Sequence, residues 1–211
     1  MTEGRLRDEI ALLCRSLFER GFSVGSAGNV SARIDDGILI TPTNSSLGSL
    51  DPARISKVDL QGRHLGGDPP SKEIFLHRAF YDSRPVAGAV VHLHSTYATA
   101  WSCLADTDGE NCIPPITPYV VMRVGQVRLV PYGRPGDPRM GELIRALQGR
   151  YAAVLLANHG PVVSGKDLRT AVYAAEELEE TTRLLVALRG LPTRMLTAEQ
   201  VEELRRVFGA S

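Results

Sequence analysis

The 211-residue sequence predicts an α/β fold, a largely antiparallel or mixed sheet covered by helices on its faces. Three features carry that expectation. Short apolar runs at 86–91 and 152–157 suit buried strands. The turn Asp35-Asp36-Gly37 lies between two short strand-like segments, as in a hairpin. Amphipathic stretches with helical period, the longest at 166–189, alternate with the strands. No internal repeat, low-complexity tract or linker interrupts the chain, so residues 1–211 are expected to form a single domain.

In chain order, residues 5–20 set Leu6, Ile10, Leu13 and Leu17 on one helical face, and Gly21 stops that helix. A Gly/Ser-rich turn at 24–29 leads into a strand at 30–34, which the hairpin returns through 38–41. The loop 42–48 has the composition of a ligand-handling turn, and a short strand pair broken at Gly62 is expected over 55–65. A helix opens at Pro70-Ser71-Lys72-Glu73, with Ser71 as its N-cap and Ile74, Leu76, His77, Phe80 and Tyr81 on its apolar side. Arg84-Pro85 ends it. The apolar run to His94 follows as a strand, then a helix over 95–104. The segment Pro114-Pro115-Ile116-Thr117-Pro118 excludes regular helix, and Val120 to Val130 reads as strands around Gly125. A helix over 138–149, a strand before His159, the long helix and a terminal helix at 197–208 complete the chain.

Bulk properties exclude several functions. Lys plus Arg equals Asp plus Glu at 24 each, and no basic run stands out, so a nucleic-acid partner has no electrostatic support. No apolar span is long enough for a membrane. The cysteines Cys14, Cys103 and Cys112 are odd in number and lack CxxC spacing, which fits reduced thiols in a cytoplasmic protein.

His92 and His94 close the first apolar run. Positions i and i+2 of a strand face the same side, so both imidazoles would project together from a strand end. Asn158-His159-Gly160 sets a third imidazole at the end of the second run. Three imidazoles so placed suit a divalent transition metal, most often zinc, while core histidines satisfied by backbone carbonyls remain the alternative. Glu73 is the best upstream carboxylate, either as a metal partner or as an acid interacting with a helix dipole. His77 shares its helical face and competes with it, ranked lower as a packing residue, and His64 reads as solvated.

Three small-residue turns are rich in amide and hydroxyl donors: Gly25-Ser26-Ala27-Gly28-Asn29, Thr43-Asn44-Ser45-Ser46 and Ser71-Lys72. The last also opens a helix, whose unpaired N–H groups favour an anion. If the three converge, they form a phosphate cradle.

These segments, Gly28-Asn29, Thr43, Ser71-Lys72-Glu73, His92-Leu93-His94 and Asn158-His159-Gly160, follow in order along the chain, within a likeness that runs over roughly residues 5 to 190. With them the chain resembles the class II aldolase/epimerase family typified by fuculose-phosphate aldolase and ribulose-phosphate 4-epimerase. The resemblance implies a three-layer α/β/α sandwich with a mainly antiparallel central sheet, in a homotetramer with active sites at subunit boundaries. It implies Zn2+, or another divalent transition metal, on His92, His94 and His159, with Glu73 as a further ligand or acid–base group. It implies a substrate phosphate held by Gly28, Asn29, Thr43 and Ser71. Asn44 and Lys72 stand where the aldolases generally carry Gly and Ser. Both are kept as substrate-contacting, and Lys72, expected to hold a carboxylate or phosphate, also counts with Glu73 and Tyr119 among the catalytic residues. The segments 114–125 and 130–137 resemble the 3-oxo-tetronate 4-phosphate decarboxylase branch.

The resulting expectation is metal-dependent loss of CO2 from a 3-oxo-tetronate 4-phosphate, giving dihydroxyacetone phosphate through a stabilised enediolate. Four protein ligands would fill a tetrahedral ion, so Glu73 must swing off, or coordination expand, when substrate arrives. A displaced Glu73 is placed for proton transfer, and Tyr119 is the expected proton donor, reaching a neighbouring subunit's site. The alternatives are a sugar-phosphate aldolase or 4-epimerase using the same sites and, as a different class, a non-catalytic scaffold.

Overall fold

The computed structural model describes residues 2–107 and 109–209. Its elements in chain order are α1 (Glu3–Glu19), β1 (Asn29–Ile34), β2 (Gly37–Ile40), β3 (Ser56–Val58), β4 (His64–Gly66), α2 (Ile74–Ser83), β5 (Ala89–His92), α3 (Thr96–Ser102), α4 (Pro118–Arg123), β6 (Val127–Val130), α5 (Arg139–Ala146), β7 (Ala153–Leu156), β8 (Gly160–Gly165), α6 (Leu168–Ala187) and α7 (Ala198–Phe208). The strands form one eight-stranded sheet in the order β4-β3-β2-β1-β5-β8-β7-β6. Every pairing is antiparallel except β6 with β7.

The two-residue period of the strands sorts their side chains into two cores. Ala89 and Val91 of β5, Ala153 and Leu155 of β7, and Val163 of β8 enter the core shared with α1, α3, α4 and α6. Val90, Val154, Leu156 and Val162 point to the opposite face, where α2 and α5 supply Leu76, Ala79, Phe80, Met140 and Ile144. The result is the expected three-layer sandwich. Both faces of the central strands are covered, which is why β5 reads as a continuous apolar run rather than an alternating one.

Two local expectations are corrected. Val120 to Val130 is not a pair of strands: Pro118–Arg123 forms α4, and only Val127–Val130 is extended. Pro118 excludes a helix interior but suits the first helical turn, where its missing N–H would have no partner, and the Thr117 side chain caps that turn by accepting from the Val120 amide. The helix expected from Pro70 starts at Ile74, and Ser71 is not its N-cap. Ser71 instead closes the preceding turn: its hydroxyl accepts from the Glu73 amide at 3.2 Å and its carbonyl from the Ile74 amide at 3.2 Å. Those two donors are thereby removed from any anion site at the helix start.

Candidate metal centre

Register places the site. Asn29 at the start of β1 is opposite His92 at the end of β5, and His92 is opposite Val162 of β8. His94 follows two residues beyond the strand, and His159 lies in the tight turn between β7 and β8, where Asn158 takes a positive φ of 57°. Glu73 arrives from the other layer as the residue preceding α2. One end of the sheet thus gathers four donor groups from three separated segments, with ligand atoms all within 4.8 Å of one another.

The distances suit one ion. His94 Nε2 lies 3.1 Å from His92 Nε2 and 3.0 Å from His159 Nε2. Glu73 Oε2 is 3.4 Å from His92 Nε2, and Glu73 Oε1 is 3.7 Å from His159 Nε2. Donors bound at about 2.0–2.1 Å around a tetrahedral ion sit about 3.3–3.4 Å apart, so the spacing is close to what such an ion would impose. His92 Nδ1–H donates to the Pro161 carbonyl at 2.9 Å, which leaves the Nε2 lone pair facing the other donors. Burial drives the His92 pKa down to about 3, partly offset by Glu73, and lowers His94 and His159 in the same way. All three rings are therefore neutral ligands at physiological pH. Burial alone would raise the pKa of Glu73, but the positive charge of the facing His92 ring when that ring is protonated, the Asn29 amide and then the same charge on the other two rings bring it below the ordinary carboxylate value. Three neutral imidazoles and one carboxylate form a donor set that fits a divalent transition metal.

Above the donors lies a cavity of about 390 Å³ lined by residues from all three turns, among them Gly28, Asn29, Thr43, Asn44, Ser71 and Lys72, together with Glu73, His94 and His159. The three turns do converge, though their amides are partly spent. The Thr43 N–H goes to the Pro69 carbonyl and the Ser71 N–H to the Thr41 carbonyl. Ser71 Oγ accepts from an amide and so keeps its own proton to donate. Lys72 is exposed at this cavity. Asn29 is committed elsewhere: its amide spans Glu73 and His77, at 2.9 and 2.5 Å, rather than standing free for a phosphate. His77, fully buried behind Asn29, lies outside the four-donor group. Tyr119, on the first turn of α4, is 54% exposed and does not line its own chain's cavity. Pro135 and Gly136, from the loop between β6 and α5, do line it, and nothing in the local sequence pattern pointed to them as site residues.

Gly28 has a structural duty at this site. Its φ of +79° is a left-handed conformation, and a Cβ there would lie 2.8 Å from the His92 carbonyl oxygen. Gly28→Ala is expected to destabilise the protein by about 2–3 kcal/mol, combining left-handed strain with a backbone clash, as read from urea unfolding midpoints.

Comparison with known proteins bears on this arrangement. The family model for the class II aldolase and adducin N-terminal domain matches residues 8–186. The chain belongs to the class II aldolase family. Within it, the chain is 54% identical over 204 residues to a 3-oxo-tetronate 4-phosphate decarboxylase from Pectobacterium atrosepticum, covering 96% of this chain and 94% of that one. It is 33% identical over 205 residues to the L-fuculose phosphate aldolase of Escherichia coli K12, covering 95% and 93%. The crystal structure of YgbL from Klebsiella pneumoniae superposes with a TM-score of 0.95 at 54% identity, covering 97% of this chain and all of that one. The resemblance read from the sequence is thus borne out, including its decarboxylase branch. This class II aldolase-fold protein is a carbon–carbon lyase.

Proposed function

We propose that the protein decarboxylates a 3-oxo-tetronate 4-phosphate to dihydroxyacetone phosphate and CO2, with Zn2+ or a similar divalent ion held by Glu73, His92, His94 and His159. The observation that carries this reading is the convergence of those four donors, of which Glu73, His94 and His159 line a cavity rimmed by hydroxyls and Lys72 and His92 is buried behind them. Relatives 47–54% identical over nearly their whole length bear the decarboxylase name, which favours this chemistry over aldol cleavage.

When bound, the metal supplies Lewis-acid stabilisation of the negative charge that develops on the substrate's ketone oxygen. The protein's residues do the rest. Thr43 and Ser71 donate hydroxyl hydrogen bonds to the phosphate, with Gly28, Asn29 and Asn44 shaping the wall, and Lys72 supplies a cation for phosphate or carboxylate. Bond breaking is balanced within the substrate: the C1–C2 pair becomes the C2–C3 double bond, the ketone π pair moves onto oxygen, and CO2 departs. One proton added at C2 completes dihydroxyacetone phosphate. Glu73, ionised at neutral pH, yields to the substrate and relays a proton to that carbon. Tyr119 serves as the acid only from a second copy of the chain, so the reading includes a homotetramer with active sites at subunit boundaries. The 211 residues act as a single catalytic domain in the cytoplasm.

The test is product analysis. Zinc-loaded protein incubated with 3-oxo-tetronate 4-phosphate is expected to release CO2 and dihydroxyacetone phosphate, and to leave fuculose 1-phosphate uncleaved. Lactaldehyde from fuculose 1-phosphate, without CO2 from the tetronate, would replace the decarboxylase by the aldolase reading.

A further inference from the structure

Five polar side chains run without a gap from the metal-site carboxylate into the core: Glu73, Asn29, His77, Ser31 and Tyr81. Asn29 Nδ2 is 2.9 Å from Glu73 Oε2, and Asn29 Oδ1 is 2.5 Å from His77 Nε2. On the far side of the ring, His77 Nδ1 is 2.7 Å from Ser31 Oγ, which is 2.7 Å from the Tyr81 hydroxyl. Ser31 and His77 are inaccessible to solvent, and Tyr81 is nearly so.

Donor and acceptor chemistry leaves this chain one direction. An ionised carboxylate only accepts, so Asn29 must turn its NH2 toward Glu73 and its carbonyl oxygen toward His77. That oxygen also only accepts, so His77 carries its proton on Nε2 and keeps a lone pair on Nδ1. Nδ1 then takes the Ser31 hydroxyl proton. Ser31 Oγ, its own proton spent, accepts from the Tyr81 phenol. Every hydrogen in the chain points toward Glu73, and hydrogen bonds aligned in this way polarise one another. Burial lowers the His77 pKa to about 4, which keeps the ring neutral as the chain requires.

We propose that Asn29, His77, Ser31 and Tyr81 are positioning residues, a one-directional hydrogen-bond chain that fixes the Glu73 carboxylate for its metal. This rests on the metal site proposed above. Left alone, a glutamate side chain can rotate either oxygen toward or away from the three imidazoles. Anchoring Oε2 through Asn29 to the sheet restricts that choice before any ion arrives. His77, which shares a helical face with Glu73, thus works one step behind the ligands rather than among them.

The experiment compares wild type, Ser31→Ala and Tyr81→Phe in zinc-loaded form, in chelator competition and with cobalt in place of zinc. Nitrogen-15 NMR of the wild type is expected to find His77 as the Nε2–H tautomer; an Nδ1–H tautomer would overturn the direction of the chain. Ser31→Ala is expected to weaken zinc binding about threefold and to shift the visible absorption of the cobalt form, a smaller loss than the roughly 10–100-fold that follows removal of a partner bonded to the ligand itself, because Ser31 acts through His77 and Asn29. Tyr81→Phe, which removes only the last donor, should move both in the same sense by less. Folded variants with wild-type zinc affinity and an unchanged cobalt spectrum would overturn the proposal. A wild type that holds no zinc at all would instead overturn the metal site on which it rests.

Discussion

Replacing His94 by alanine is expected to reduce decarboxylation at least about a thousandfold while leaving the protein folded. Its Nε2 is the hub of the donor set, within 3.1 Å of both other imidazoles, so its loss leaves two rings and a carboxylate around the ion's position. A Lewis acid at such a site contributes several kcal/mol to stabilising a developing oxyanion, and about 1.4 kcal/mol corresponds to each tenfold in rate. Forfeiting about 4 kcal/mol therefore removes about three decades. The fold does not depend on this ring. The chain just beyond it is held at α3, where the buried carboxylate of Glu179 accepts from the Tyr97 and Ala98 amides at 2.8 Å each. Bound zinc measured by elemental analysis should fall well below one per chain, with an unchanged far-ultraviolet circular dichroism spectrum. Stoichiometric zinc and full turnover in this variant would remove His94 from the site.

Much of this site was legible because its signals are local. The period of a strand is enough to set His92 and His94 on one side of a sheet end, and an apolar run closed by Asn158-His159-Gly160 marks another strand end without knowledge of its partner. The hairpin at Asp35-Asp36-Gly37 was equally plain, since β1 and β2 are neighbours in both sequence and space. Illegible features depend on non-local pairing or on ambiguous residues. Asn29 and Glu73 touch only because β1 pairs with β5 and α2 crosses the opposite face, so the amide's true occupation could not be read from a Gly-Asn turn. Proline signalled a break at Pro118, although the same fixed φ also begins helices; the Thr117 cap was the cue that would have decided for α4. Ser71 carried the composition of an N-cap two residues early, because Glu73 occupies the capping position without capping by its side chain. That carboxylate is turned toward Asn29 and the imidazoles instead.

Metal-free protein is expected to lose stability steeply as pH falls from about 6.5 towards 4, because two fully buried imidazoles resist protonation. In the folded chain burial holds His77 down to about 4 and His92 to about 3, whereas both titrate near 6.5 when unfolded. Between those values the unfolded chain binds more protons than the folded one, so acid favours unfolding, and the stabilisation is fully present only above about pH 6.5. Each pH unit costs about 1.4 kcal/mol per histidine, so His77 alone accounts for roughly 3 kcal/mol over this range. That is a large share of the 5–15 kcal/mol that holds an ordinary domain together, before the contribution of His92 is added. Urea midpoints measured with chelator present at pH 7.5, 6.0 and 5.0 should fall in step. His77→Gln, which removes one of the two titrations, should lessen the slope by about 1.4 kcal/mol per pH unit. Excess zinc should raise the whole profile at neutral pH and lose its effect in acid, where protons compete for the same imidazoles. A wild-type profile flat between pH 7.5 and 5 would contradict neutral, buried rings at His77 and His92.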